Sequence, residues 1–118
     1  MRSSALEPNV SKNDYIRKVL DAYRRMPGAS GAVRRNDRLL AATLYDRAIP
    51  LTAVENALVL AAARRFFRPL DALALQPVRS LHYLLPVIEE VLTLFVSQDY
   101  YRYLQFKLDH ALKRKRTL

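Results

Sequence analysis

Glycine is almost absent from this chain: the only two in 118 residues, Gly28 and Gly31, fall together in Pro27-Gly28-Ala29-Ser30-Gly31. Tight hairpins draw repeatedly on glycine for positive φ, so a sheet-rich fold has little to turn on here. Elsewhere the apolar residues recur at intervals of three and four instead of alternating, which is the period of helices. The expected fold is therefore all-α, a compact bundle of about five helices. The length fits one domain, with a helical domain over 13–112, a flexible N-terminal segment over 1–12 and a basic C-terminal tail over 113–118.

Helix boundaries follow from local chemistry. Ser11 can cap a first helix whose apolar face is Ile16, Val19, Leu20 and Tyr23, and Pro27-Gly28 ends it after Met26. Asn36 suits the cap of a second helix reaching Arg47, with Leu39, Leu40, Thr43 and Leu44 inward. After the break at Pro50, Thr52-Ala53-Val54-Glu55 reads as a capping box that opens the third helix. From Val54 to Phe67 that helix is apolar almost all round, which a solvent-washed helix cannot be, so it belongs at the centre. Pro69 and Pro77 bracket an irregular connection. A short turn over Arg79 to Leu84 leads into a helix from Leu85 or Pro86, with Leu84, Leu85, Ile88, Val91, Leu92 and Phe95 at helical spacing. Ser97 and Asp99 open a last helix that packs through Tyr101, Leu104, Leu108 and Ala111.

The residue types that carry catalysis are scarce. There is no cysteine, which excludes disulfides, Fe–S clusters and thiolate zinc sites. The two histidines, His82 and His110, have no helical partner at the spacing of a metal site. Adjacent helical residues point about 100° apart, so neither Asp109-His110 nor Glu89-Glu90 works as a pair, and the glutamates read as the solvated face of the fourth helix. The glycines form neither a phosphate loop nor a nucleophile elbow. The expectation is a non-catalytic protein with no metal and no cofactor.

Charge is more informative. Lys and Arg number twenty against eleven Asp and Glu, for a net charge of +9, and a surface so biased prefers anionic partners. Fifteen of the twenty are arginine, whose planar fork grips a phosphate in a way lysine cannot copy. Arg24, Arg25, Arg34, Arg35 and Arg38 bracket the first loop. Arg64, Arg65, Arg68 and Arg79 surround Asp71, and Lys113, Arg114, Lys115 and Arg116 close the chain. These thirteen are the candidate phosphate contacts. A helix-turn-helix reading of Ile49-Pro50-Leu51 fails, because the following helix offers Ala57 to Ala63 where base-reading side chains are needed. Tyr100, Tyr101, Arg102 and Tyr103, with Phe106 and Lys107, interleave rings with cations. Tyr100 and Tyr103 are then either stacking residues for a single strand or the rim of a partner interface.

The candidate partners are nucleic acid (DNA or RNA), a protein of a larger nucleoprotein complex, and a second copy of the chain. A membrane is not among them, since no apolar run approaches the ~18 residues of a span. Met1 to Lys12 holds no apolar run of the ~7–15 residues of a signal peptide, and the expected location is cytoplasmic.

Three strings stand in a suggestive order: Ala41-Ala42-Thr43-Leu44-Tyr45, then Ile49-Pro50-Leu51 with Val54 and Ala57-Leu58, then Val78-Arg79-Ser80-Leu81-His82-Tyr83 leading into Val87-Ile88. Over residues 40–92 this resembles the helical module of DnaD-like replication-initiation proteins and related phage and plasmid replication proteins. The resemblance implies a helix, a tight turn, a second apolar helix, a tyrosine-bearing segment and a further helix, in a module that binds DNA and self-associates. It adds Tyr83 and Arg79 as equivalents of the family's DNA-facing segment, and it implies an accessory role in replication, mobile-element or defence machinery.

Overall fold

The computed structural model describes residues 11–69, 71–94 and 96–117, with side chains as far as Arg114. The expected flexible segment before Ser11, and the side chains of Leu70, Phe95, Lys115 and Arg116, lie outside the described residues. Five α-helices and one 3₁₀ turn follow in order: α1 (Lys12–Arg25), α2 (Arg35–Asp46), α3 (Leu51–Phe66), the turn Leu81–Leu84, α4 (Leu85–Thr93) and α5 (Gln98–Thr117). The all-α bundle expected from the sequence is the fold.

α1 starts where its cap dictates, with the Ser11 hydroxyl accepting from the Asp14 N–H at 3.1 Å. Its buried face is Tyr15, Val19, Leu20 and Tyr23, while Ile16 is only partly covered. Tyr15 earns its burial through its hydroxyl, which donates to the Ile49 carbonyl at 2.7 Å and ties α1 to the turn after α2. That turn is made by Ala48 in the left-handed region (φ 59°), with the Ile49 N–H bonded back to the Leu44 carbonyl.

α2 departs from its sequence reading in two ways. Its cap is Arg34 rather than Asn36, because the Asp37 carboxylate reaches back to the Arg34 N–H at 2.8 Å. Its buried stripe is Asp37, Leu40, Ala41 and Leu44, so Thr43 is exposed and Leu39 is 53% exposed. The stripe is rotated because Asp37 itself occupies it.

α3 begins at Leu51 with Pro50 in the cap position, the Pro50 carbonyl accepting from Ala53 and Val54. Thr52 therefore lies inside the first turn and the expected Thr52 cap is not formed; proline's fixed φ supplies the start instead. The central place of this helix is as expected. It buries Leu51, Val54, Ala57, Leu58, Leu60, Ala61, Ala62 and Ala63, and packs against α1, α4, α5 and the 3₁₀ turn. Replacing Leu58 by Ala should cost about 2–5 kcal/mol in urea denaturation, as buried leucines do; a loss below about 1 kcal/mol would contradict its central position.

After the irregular connection, Pro86 sits harmlessly in the first turn of α4, where its missing N–H has no helical partner to lose. α5 packs on α3 through Tyr101 and Leu108, with Leu104 and Leu112 partly covered. It runs on without a break through Lys113 and Arg114 to Thr117. The terminal basic residues are thus the end of a helix rather than a separate tail.

Candidate nucleic-acid interface

One end of the bundle is assembled by a buried carboxylate. Asp37, 1% exposed, accepts from two backbone donors at once: the Arg34 N–H at 2.8 Å through Oδ2, and the Leu81 N–H at 2.8 Å through Oδ1. It therefore caps α2 and the 3₁₀ turn together, across 44 positions of sequence. A second link lies beside it. The Ser30 N–H donates to the Val78 carbonyl and the Val78 N–H to the Gly28 carbonyl, which lays the loop after α1 along the segment that carries Arg79. The Tyr23 hydroxyl also reaches the Val78 carbonyl, at 3.4 Å. Burial pushes this phenol's pKa up, the Asp37 charge adds to the effect, and the Arg34 cation opposes it.

The helices converge on the same end. Lys12 at the start of α1 pairs with Asp46 at the end of α2 (3.0 Å), so the two run antiparallel and the end of α1 meets the start of α2. The end of α3 arrives through Arg65, whose guanidinium crosses Gly28 and donates to the Gln76 carbonyl at 2.6 Å. Gly28 has φ +93° and lies so close to Arg65 that an added Cβ would be 2.9 Å from Nε. Here glycine is needed twice over, for its conformation and for the close approach.

These links sort the candidate arginines. Arg34, Arg35 and Arg38 open α2 and Arg79 lies two residues before Leu81, which Asp37 ties to that start, so all four belong to one end of the bundle; all are exposed, and no carboxylate among the described residues pairs with any of them. The only acid among them, Asp37, is turned inward. Arg24 is held by Asp21 at 3.0 Å. Arg25 is exposed at the end of α1 and lines a groove of about 540 Å³ between α1, α3 and α5.

The second expected group does not form a free patch. Arg64 makes a two-pronged pair with Glu90 on α4. Arg65 is occupied as described, Arg68 donates to the Leu73 carbonyl, and Arg79 joins the first group. Arg65 and Arg68 act as clasps for the connection between α3 and the 3₁₀ turn, whose backbone carbonyls have no sheet or helix to bond. The glutamates are likewise not a merely solvated face: Glu89 pairs at 2.9 Å with Arg47, the C-terminal cap residue of α2, while Glu90 holds Arg64. In each case the arginine hydrogen bond holds the carboxyl below its ordinary pKa. Both pairs span elements far apart in sequence, which sequence spacing gave no way to see.

Lys113 and Arg114 follow Leu112, which lines the same groove as Arg25, Met26 and Pro27. Tyr83, on the 3₁₀ turn two residues after Leu81, is 60% exposed. Tyr100 and Tyr103 are exposed on α5, where Tyr100 stands edge-on to Tyr101 with ring centroids 5.7 Å apart.

Among the described residues no group of three or more His, Cys, Asp or Glu is placed to hold a metal ion. No described helix is long and apolar enough to cross a membrane. Asp109 accepts from Gln105 at 2.8 Å, and His110 instead packs on the Phe106 ring. No protein-family model, curated protein or solved structure matches the chain.

Proposed function

We propose that this protein is a small, non-catalytic nucleic-acid-binding protein that grips the phosphate backbone through Arg34, Arg35, Arg38 and Arg79. What supports the reading is one observation: four exposed arginines with no ion pair among the described residues share one end of the bundle, and the acid that lies among them in the sequence, Asp37, is buried and committed to two backbone N–H groups. Eight of the other acids are tied to named partners away from these four, in six ion pairs and side-chain bonds such as Gln105 to Asp109, or hold a contact of their own. Among the described residues Lys18, Arg25, Lys107 and Lys113 are also outside any ion pair, but four arginines gathered at one end make the densest such group, and a concentrated positive potential attracts an anion more than scattered charges do.

Guanidinium forks on a bundle end, fitted to phosphate oxygens, favour backbone contacts over base reading. The resemblance of residues 40–92 to DnaD-like modules favours DNA and an accessory role in replication, mobile-element or defence machinery, with Arg79 exposed just before the 3₁₀ turn and Tyr83 exposed on it. Fluorescence anisotropy against two duplexes of unrelated sequence tests the reading: the affinities should agree within about threefold at low salt, as backbone contacts require. Strong preference for one sequence, or no binding to either, would overturn it. A helical subunit that touches nucleic acid only beside a partner protein is the alternative, and it predicts the second result.

A further inference from the structure

α5 carries a second surface of different character. Tyr103, Lys107, His110 and Arg114 follow one another at the four-three-four spacing that keeps residues on one side of a helix, with Tyr100 and Phe106 flanking them. This side faces away from the α3 contact made by Tyr101 and Leu108. Tyr103 is 55% and Phe106 61% exposed, which is unusual for rings not supported by a neighbour, and both are supported. The Lys107 ammonium lies 5.6 Å from the Tyr103 ring centre and 5.1 Å from that of Phe67, an exposed ring at the end of α3. His110 lies 4.2 Å from Phe106, ring centre to ring centre, and Phe67 is propped edge-on by Phe66 at 5.2 Å. The rings are thus held in place with faces still open to solvent.

Cations outnumber acids around them: Arg102, Lys107, Lys113 and Arg114 stand against Asp99 and Asp109. Asp99, the carboxylate bordering the stripe, is held by Arg102 at 3.1 Å, and Asp109 lies off it and is engaged by Gln105. A second copy of the chain docked on this face would bring one cluster of Lys107, Lys113 and Arg114 against the other, which like-charge repulsion opposes. An apolar partner would strand the same ammonium groups. A single nucleic-acid strand meets both requirements, because every base has a stackable face and every link a phosphate. Successive rings rise about 4.5 Å along the helix, a spacing at which separated bases can occupy separate rings.

We infer that the exposed side of α5, with Phe67, binds single-stranded nucleic acid by stacking bases on Tyr103 and Phe106 and pairing phosphates with Lys107 and Lys113. The inference deepens the proposed function and rests on it, assigning the arginine end to backbone contacts on duplex or strand and the α5 face to unpaired bases alone.

The test is anisotropy of the full chain with a labelled 15-nucleotide oligo-dT strand and with a duplex of equal length, for the native protein, for Tyr103→Ala with Phe106→Ala, and for Tyr103→Trp. Both target side chains are exposed, and circular dichroism with a denaturation midpoint verifies that the double variant remains folded. The double variant should lose about 30-fold or more on the single strand, from two stacked bases, and change less than about threefold on the duplex, while Tyr103→Trp retains or improves strand binding. Unchanged strand affinity in the double variant overturns the inference and leaves the proposed function standing. Failure of the native protein to bind either ligand overturns the proposed function itself. Concentration-dependent self-association that disappears in the double variant would mean that a second copy occupies this face, which also overturns the inference.

Discussion

Replacing Asp37 by Ala should destabilise the protein by about 2–4 kcal/mol, because two charge-assisted hydrogen bonds vanish, the Leu81 N–H is left buried without an acceptor and the Arg34 N–H is left part-buried. For a domain whose total stability lies in the usual range of roughly 5–15 kcal/mol, that is a large fraction of the whole. Asp37→Asn is the informative companion. Its single carbonyl oxygen can serve one of the two donors but not both, so its loss should be smaller, near half. Urea denaturation of the two variants checks the order: native above Asn, Asn above Ala. If Ala and Asn cost the same and less than about 1 kcal/mol, the carboxylate is not the joint between α2 and the 3₁₀ turn. The effect should extend to binding. Since Asp37 also fixes the segment that presents Arg79, the Asn variant should weaken nucleic-acid binding although it removes a negative charge from beside the arginines. Simple electrostatics predicts the opposite sign, which makes the comparison decisive.

Arg34→Ala, Arg35→Ala and Arg79→Ala combined should lower duplex affinity on the order of 100-fold at about 50 mM salt, with little change in stability. The stability expectation has a local reason. Arg34 contributes to the cap of α2 only through its backbone N–H and carbonyl, which Ala retains, and Arg35 and Arg79 are exposed with no ion pair. The corresponding Lys variants keep the charge and lose the fork, so they should retain the salt dependence while binding more weakly. A control is available in Arg64→Ala. This arginine is committed to Glu90, and its loss should loosen the α3–α4 contact and leave affinity nearly unchanged. Equal effects of Arg64→Ala and the triple variant on binding would mean that the positive charge acts diffusely, not at one end.

What the sequence makes legible here is whatever depends on neighbours in the chain. The central position of α3 is readable because Ala57 to Ala63 leave it no face for water, and the α1 cap because Ser11 stands three residues before Asp14. Pro86 announces a helix start as soon as it is placed after a short turn. The rotated stripe of α2 could not be read, because its cause is a bond from Asp37 to a residue 44 positions away. An aspartate in a first helical turn has an ordinary explanation in the helix dipole, and nothing local marks it as buried. The arginine clusters show the same division. Their grouping along the chain puts Arg34, Arg35 and Arg38 in one set, but it does not show that Arg79 lies at the same end of the bundle or that Arg64, Arg65 and Arg68 have partners. Which cations are free is a property of where the acids and the bare carbonyls land: Glu90, Gln76 and Leu73 reach their arginines only in the folded chain. The exposed rings of α5 lie between these cases, since helical spacing alone separates Tyr103 and Phe106 from Tyr101 and Leu108. That they keep company with Phe67 through Lys107 needed the packing of α5 on α3.

If phosphates are gripped at one place by a few arginines, the salt dependence of duplex binding reads their number directly. Four contacts predict a log–log slope of about −3 to −4, so that a fourfold rise in salt lowers affinity on the order of 100-fold, and each arginine removed should reduce the slope by about one. A slope near −1 for the triple variant against −3 to −4 for the native protein is the expected result. A native slope that the triple variant leaves unchanged, or no duplex binding at about 50 mM salt, would contradict it.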